Sequence, residues 1–530
     1  MDTLWRVIER NSNNYPERIA LRYPAGDKTY TWQQLYQVAS TLAKHLQVHG
    51  VKAGDTVGLY AGNKPEFVLG FLAAMALEAV IIPINIRLTG REIFGILSDA
   101  KAEFLLFESG LSTVAQELTQ TGIQTFNLSD FLEIRFGEPS KSAIEGSVRT
   151  AVKAETEPLT SSAAPMFQSD PAHSGFTAEI LYTSGTTGKP KGVMLSHEAI
   201  LSVAKMMAYE AGIYAGDNCL ILMPLTHSAP LNLFLWGAFW AGARVTIGDF
   251  TPDTLLNYVA QEKTTHLFGA PVVYQLLSRI PNLQDWDLSS MKLWIYGGAS
   301  TGGEQIKQWQ EALPGQFMGV YGLTEAGPNG AALRPFEHGT KTGSIGRGGS
   351  VNCEVKVVRD DGSETDPDEP GEIVVRSESL MQGYYGNPEA TSETIRSGWL
   401  YTGDIARRDA DGYIWIMDRK KDMIISGGVN VYPKEIEDIL STHPQIADVA
   451  VIGVPHPDWG ETVLAKVVVR PGEALSPDAV RAYCRGKLAD YKIPRIVEIV
   501  DVLPRNASGK LLKHVMRANW KTPGVDSAIQ

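Results

Sequence analysis

The sequence predicts an α/β protein: a large N-terminal domain built on a largely parallel sheet covered by helices, then a small α+β C-terminal domain. Helical and strand spacings alternate through the N-terminal part. Short apolar runs then each end in a glycine-rich or polar loop, and the texture changes at the charged run Asp418-Arg419-Lys420-Lys421-Asp422. A chain of 530 residues also exceeds what one hydrophobic core usually serves.

Leu35 to His49 carries apolar residues at helical spacing, and Asp55 to Tyr60 has the pattern of a strand. The apolar stretch Phe67 to Ile82 is interrupted by Glu78 and ended by Pro83, so it predicts a buried helix leading into a strand, not a membrane span. Arg91 to Asp99 predicts a helix and Ala102 to Phe107 a strand. Glu138 to Gly175, rich in Ser, Ala, Glu and Pro, predicts an exposed excursion. Three further strands lead into loops: Cys219–Met223 into Pro224-Leu225-Thr226-His227, Leu293–Tyr296 into Gly297-Gly298-Ala299-Ser300, and Phe317–Tyr321 into Gly322-Leu323-Thr324-Glu325. In open α/β sheets ligands sit beyond strand C-termini, so these loops predict one large shared site. Beyond the charged run, strands are expected at Asp448–Val454 and Val463–Val469, and a helix at Asp478–Leu488 behind Ser476-Pro477.

Apolar content of 44% and charged content of 20% are those of an ordinary globular protein. A formal net charge of −12 argues against a general nucleic-acid binder. Cys219, Cys353 and Cys484 lie far apart, so neither a disulfide framework nor a metal spacing is expected. A reducing, cytoplasmic setting is the default. The start, Met1-Asp2-Thr3-Leu4-Trp5, lacks a basic-then-apolar signal.

The most informative run is Tyr182-Thr183-Ser184-Gly185-Thr186-Thr187-Gly188-Lys189-Pro190-Lys191-Gly192-Val193. It follows Ile180-Leu181-Tyr182, the end of an expected strand. Backbone N–H groups and hydroxyls in such a loop can turn toward one anion. Glycine permits close approach, and lysine adds a mobile positive charge. A flexible surface linker is the plain alternative. A Walker-type loop fails on spacing: two residues separate Gly185 from Gly188-Lys189, and Pro190 stands where a hydroxyl should follow.

Downstream stand, in order, Tyr321–Gly327 (YGLTEAG), Gly371–Ile373 (GEI), Gly383–Thr391 (GYYGNPEAT), Gly398–Asp404 (GWLYTGD), Asp411–Glu437 (DGYIWIMDRKKDMIISGGVNVYPKEIE) and Pro504–Lys510 (PRNASGK). With the phosphate loop, this set resembles the acyl-adenylate-forming (ANL) superfamily of acyl-CoA ligases, peptide-synthetase adenylation domains and beetle luciferase. The likeness runs from about residue 20 to residue 515. It implies layered sheets and helices (αβαβα-like) at residues 1–417, a hinge at 418–422 and a small, mobile α+β domain at 423–530.

The resemblance also implies roles. Thr183, Ser184, Gly185, Thr186, Thr187 and Lys191 would hold the ATP phosphates. Glu325, with Thr183, would hold Mg²⁺, a hard cation that takes few protein ligands. Tyr321, with Gly322 and Thr324 beside it, would lie along the adenine, and Gly298, Ala299 and Ser300 would line its other side. Asp404 and Arg419 would meet the ribose. Asn430 would stay near the nucleotide, and Gly427 and Gly428 would flank a pantetheine channel. Lys510 would stabilise charge at phosphorus during adenylation, Lys421 would be the hinge, and His227 would position the acyl carboxylate. Taken alone, Glu325, Asp404, Lys510, Tyr321 and His227 are ordinary loop or core residues; only the ensemble gives them roles. Two departures from the commoner pattern, Ser228-Ala229-Pro230 and Val320, bear on pocket shape.

The implied reaction joins a carboxylic acid to CoA through acyl-AMP, with ATP, Mg²⁺ and coenzyme A as cofactors. Thr226 to Gly242 holds no Asp or Glu and no Lys or Arg. An α-amino acid is therefore not expected, because its ammonium would be buried unpaired, and a malonate-type dicarboxylate is disfavoured. Leu231, Leu233, Phe234, Leu235, Trp236 and Trp240 make this stretch apolar. They suit either core packing or the wall of an aliphatic or aryl pocket. The run Arg419–Ile425 looks most like bacterial medium- and long-chain fatty acyl-CoA ligases. A fatty acid is the expected substrate, with an aryl or phenylpropanoid acid, or a stand-alone enzyme loading a carrier protein, as alternatives. Expected partners are the small-molecule acid and CoA, a second copy in a homodimer, and a lysine acetyltransferase and deacetylase acting on Lys510; no nucleic acid and no membrane span are expected.

Overall fold

The computed structural model describes residues 3–136, 175–183, 190–299, 301–505 and 511–520. Ser184, Gly185, Thr186, Thr187, Ser300, Lys510 and nearly all of the expected excursion lie outside the described residues. Contacts divide the chain into two compact units. One comprises Met1–Phe268 with Thr324–Asn329 and Glu378–Thr391; the other comprises Gly269–Leu323, Gly330–Ser377 and Ser392–Gln530.

The first unit holds two groups of strands. In one, parallel strands run in the order His266–Gly269, Asn218–Ile221, Arg244–Ile247, Ile19–Tyr23, closed by the antiparallel Lys28–Thr31. In the other, Gln124–Asn127, Phe104–Phe107, Thr56–Tyr60, Val80–Pro83 and Thr177–Thr183 are parallel neighbours in that order. The antiparallel Lys191–Ser196 and Gly383–Tyr384 extend this sheet. The expected strands and helices of this region appear within a few residues of their predicted limits.

Local chemistry explains the helix starts. Thr31 and Gln34 form a reciprocal capping box before Trp32–Val48, as do Thr89 and Glu92 before Gly90–Asp99. Pro65 opens Pro65–Ala76, every residue of which is buried. This is the apolar stretch of the sequence: a core helix, each large side chain of which contributes about 1.5–3 kcal/mol by burial. No described helix is long and apolar enough to cross a membrane.

The second unit is dominated by antiparallel pairing. Leu293–Gly297 and Gln316–Gly322 are parallel, but Gly330–Leu333 returns antiparallel to Gln316–Gly322. Cys353–Val358, Gly371–Ser377, Trp399–Arg408 and Ile414–Arg419 form an antiparallel series. Near the C-terminus, Ile446–His456 and Gly460–Val469 make a long hairpin, joined by Ile424–Ser426 and by the parallel Ile496–Ile499. The helix behind Ser476 begins as expected, with the Ser476 side chain accepting from Ala479 N–H. It ends at Cys484, not Leu488, because Arg485 is extended and Gly486 follows with φ +74°.

Gly346 fixes one loop of this unit. Its φ is +108°, and a Cβ there would stand 2.0 Å from the Ala332 carbonyl oxygen. Gly346→Ala combines a strained backbone with a clash against main chain, so it is expected to destabilise the protein by about 3 kcal/mol or more. The urea midpoint of the purified variant measures this.

Candidate active site

In the first unit, the strand Thr177–Thr183 delivers the phosphate loop and Lys191–Ser196 receives it. Thr183 and Lys191 are register partners across this hairpin. The Lys191 ammonium stands 4.7 Å from the centre of the Tyr384 ring. The Tyr384 hydroxyl donates to Glu325 Oε1 at 3.1 Å. Met381 N–H donates to the Glu325 carbonyl at 2.8 Å, fixing its backbone. Lys191, paired with Thr183 across the hairpin, is thus linked to the distant Glu325 through Tyr384, which sequence reasoning did not single out. Its only signal was a place in the glycine-flanked run Gly383–Thr391.

His227 follows Asn218–Ile221 in a turn closed by its own N–H on the Pro224 carbonyl at 3.1 Å. Its Nε2 is enclosed and has no partner among the described residues. Burial lowers its pKa, so the ring is neutral at pH 7. The next residue, Ser228, is hydrogen-bonded through Oγ to Thr324 Oγ1 at 3.0 Å, which ties the His227 turn to the Glu325 loop. The departure from the family pattern at Ser228 therefore has a structural use. Leu231, Leu233, Phe234, Leu235 and Trp236 are all buried core residues, so their apolar character does not by itself describe a substrate wall. Trp240 is half-buried and sits beneath the Arg10 guanidinium.

In the second unit, the parallel strands Leu293–Gly297 and Gln316–Gly322 end side by side, with Gly297 opposite Val320. Gly298 (φ +80°) and Ala299 are exposed just beyond the C-terminal end of the first strand, and Tyr321 and Gly322 form the C-terminal end of the second. The Tyr321 hydroxyl donates to Asp404 Oδ2 at 2.7 Å. Arg419 Nε reaches Asp404 Oδ1 at 2.7 Å, and Asp404 and Arg419 are register partners on adjacent strands. Burial, with the Asp404 carboxylate beside it, pushes the Tyr321 phenol well up, so it stays a donor. Asp404 N–H donates to Thr402 Oγ1 at 3.1 Å. Glu372, of the GEI run, accepts from Gly403 N–H at 2.9 Å and lies 3.2 Å from Lys420 Nζ. Glu372 was a second omission: its role is to hold the Gly403 turn (φ +72°), which aims Asp404.

Gly427 and Gly428 make the two-residue turn between Ile424–Ser426 and Val429–Val431, both with positive φ, as such hairpins require. Gly427 N–H donates to the Trp459 carbonyl at 2.9 Å, and a Cβ at Gly427 would stand 2.5 Å from the Trp459 ring. Asn430 is exposed opposite Ile425, and Lys421 is exposed in the turn after Ile414–Arg419.

The first unit thus holds a threonine and lysine hairpin beside a glutamate, and the second a buried aspartate braced by tyrosine and arginine; the class of the protein is that of the nucleotide-dependent acid-activating ligases. The chain belongs to the AMP-binding enzyme family: residues 8–385 match the family's main model and residues 435–510 that of its C-terminal domain. It is 34% identical to a feruloyl-CoA synthase from an Amycolatopsis species, covering 97% of this chain and 98% of that one. It is 32% identical to a long-chain-fatty-acid–CoA ligase of Mycobacterium tuberculosis, covering 98% and 99%. The ATP-bound crystal structure of MatB from Rhodopseudomonas palustris superposes with a TM-score of 0.85 at 28% identity, covering 98% and 99%. The protein is an AMP-forming acyl-CoA synthetase with a mixed α/β architecture of large N-terminal and small C-terminal domains. Acyl-CoA ligases of this family use ATP, Mg²⁺ and CoA.

The residues present fit these groups. The Glu325 carboxylate and Thr183 hydroxyl are oxygen donors of the kind Mg²⁺ takes, one or two from protein and the rest from water and phosphate. Among the described residues, no group of three or more His, Cys, Asp or Glu is arranged so that it could hold a metal ion by itself. Gly298 is exposed, and a Cβ there would meet nothing within 4 Å.

Proposed function

We propose that the protein converts a medium- or long-chain fatty acid to its CoA thioester. The acid and MgATP give acyl-AMP and pyrophosphate, and the CoA thiol then displaces AMP. In this reading Thr183 and Lys191, with Ser184, Gly185, Thr186 and Thr187, hold the phosphates. Glu325 and Thr183 bind Mg²⁺, which would offset phosphate charge. Tyr321 and Gly298 flank the adenine, Asp404 and Arg419 orient the ribose, and neutral His227 donates a hydrogen bond to the acyl carboxylate. Lys510 stabilises the developing charge at phosphorus.

The observation that carries the choice of acid is the segment from Thr226 to Gly242, whose sole ionisable side chain is His227, held neutral by burial. Such surroundings favour an acid with an uncharged tail over an amino acid or a dicarboxylate. The M. tuberculosis relative supports a fatty tail. An aryl or phenylpropanoid acid is the second reading, favoured by the feruloyl-CoA synthase relative. Pyrophosphate release with MgATP and CoA decides between them across acetate to palmitate, benzoate, coumarate and ferulate. Highest kcat/KM among hexanoate to palmitate is the expected result; turnover confined to the aromatic acids would replace the fatty-acid reading with the second.

A further inference from the structure

Glu179 is a carboxyl with no exposed surface, in the middle of the strand that ends at Thr183. Its register partners are Ile81 on one side and Leu195 on the other, both buried. The polar group that reaches it is the side chain of Asn232, also wholly buried, whose Nδ2 donates to Glu179 Oε1. One oxygen of each side chain, Glu179 Oε2 and Asn232 Oδ1, is buried with no partner among the described residues. As a carboxylate, Glu179 would be a buried charge met by one neutral amide, with a repelled acceptor left over on each side, which is costly. With a proton on Oε2, the carboxyl becomes a donor, and the one unused acceptor of its partner is Asn232 Oδ1.

We propose that Glu179 is a neutral carboxylic acid that closes a two-point hydrogen-bonded pair with Asn232, and that this pair is a positioning device joining the phosphate-loop strand to the turn behind His227. Asn232 lies within the π-helical segment Ala229–Leu235, whose Leu231 N–H is bonded to the His227 carbonyl at 3.2 Å. A π-helical turn is rarely favourable alone and is common at functional sites, so it needs an external tie. The acid–amide pair supplies one. It fixes the backbone that carries His227 against the strand that carries Thr183. Glu179 and Asn232 touch no substrate; they act through those two residues.

The surroundings agree. Burial holds the Glu179 carboxyl up to about 8, with the Asn232 amide pulling the other way. The titratable groups on neighbouring elements are Tyr182 on the same strand, Lys191 on Lys191–Ser196, and His197, Glu198, Lys205, Tyr209 and Glu210 on the helix His197–Glu210 that adjoins the π-helical turn. None of them acts on Glu179. The strand Val80–Pro83 and the π-helical turn contribute no titratable group. The folded value lies above the unfolded value of 4.5, so the proton is held more tightly in the fold. The stability carried by the pair is therefore full below the unfolded value and falls as pH rises toward the folded one.

The inference rests on the assignment of His227 to the acid, and its test separates the two. Urea midpoints of the full-length wild type, Glu179→Gln and the double variant Glu179→Leu/Asn232→Leu are measured from about pH 6 to about pH 9 without substrate. The wild-type midpoint is expected to fall across that range more than that of Glu179→Gln, whose amide keeps both hydrogen bonds and cannot ionise. Equal pH slopes would overturn the protonated pair, whatever the substrate. In steady state, Glu179→Gln is expected to keep kcat and the acid KM within about twofold, whereas the apolar double variant, even where its midpoint recovers, raises the acid KM about tenfold or more. A stable double variant with wild-type KM and kcat would reduce the pair to core filling and overturn the positioning role. If the double variant does not fold, Glu179→Gln still decides: retained kcat and KM with a lost pH slope upholds the pair, and a Glu179→Gln enzyme with acid KM raised tenfold overturns it.

Discussion

Asp404→Ala is expected to lower kcat/KM for ATP by about 10²–10³ and to leave a folded enzyme. The carboxylate sits on a strand, buried to 4% exposure, and both its oxygens are engaged, one by the Tyr321 hydroxyl and one by Arg419. It is held in three ways: by Thr402 beneath its N–H, by the Gly403 turn clamped on Glu372, and by the cross-strand pairing with Arg419. A group held that firmly can present fixed acceptors to a ribose diol without reorganising. Charge-assisted hydrogen bonds contribute about 1.5–3 kcal/mol each, and a loss in the transition-state complex of about 3–4 kcal/mol, two bonds at the lower end of that scale, gives the stated range. The stability cost is smaller, about 1–2 kcal/mol, because the Arg419 side chain is 37% exposed and its released charge returns to water. Asp404→Asn keeps shape and one acceptor, so it should fall between wild type and alanine. Pyrophosphate exchange measured as a function of ATP tests the series. An alanine variant with an unchanged ATP KM and kcat would remove Asp404 from the nucleotide site.

How much of this was legible in the sequence depends on the range of the interaction. Strand ends such as Tyr182, Val320-Tyr321 and Ile221 announce themselves through a short apolar run followed by glycine or a polar loop, a strictly local signal. Helix starts at Thr31, Thr89 and Ser476 are equally local, because the cap and its partner lie three residues apart. The end of the helix Pro477–Cys484 was misjudged because apolar periodicity continued to Leu488 while Gly486 had already left helical space. The π-helical turn at Ala229–Leu235 was invisible for a related reason: in a wholly buried segment, apolar residues stand on every side and no period can be read. Interactions that brace functional groups were lost altogether. Tyr384 on Glu325, Glu372 on Gly403 and Asn232 on Glu179 each join residues at least 31 positions apart. No local pattern marks such a pair, and a lone glutamate inside Ala178-Glu179-Ile180-Leu181 looks like a strand's solvent face until its cross-strand neighbours Ile81 and Leu195 are known.

Lys510→Ala and Lys421→Pro are expected to separate the two half-reactions in opposite directions. Adenylation develops negative charge on the α-phosphate as the acid attacks, so if Lys510 is, as proposed, the cation of that step, its loss should lower acyl-AMP formation by about 10³-fold. Attack of CoA on ready-made acyl-AMP does not pass through that transition state, so Lys510→Ala should form thioester from supplied acyl-AMP at close to the wild-type rate. Lys421 poses the reverse case. It stands in the turn between Ile414–Arg419 and Ile424–Ser426, where Lys420 N–H bonds to the Gly403 carbonyl at 2.8 Å and Met423 N–H to the Arg419 carbonyl at 3.1 Å. With Asp422 N–H on the same Arg419 carbonyl at 2.9 Å, these bonds close the turn that contains Lys421, so a hinge motion there would have to open them. Proline there locks φ near −65°. If the second half-reaction needs a different backbone setting, Lys421→Pro should keep adenylation within about threefold and slow thioester formation by about 10²-fold. Lys421→Ala is the control, since it removes the ammonium but not the backbone freedom, and should behave as wild type in both assays. Pyrophosphate exchange reports the first step, and CoA ester formed from synthetic acyl-AMP reports the second. Equal losses in both steps for Lys510→Ala, or an alanine at Lys421 as damaging as proline, would mean that one fixed arrangement of these residues serves both reactions.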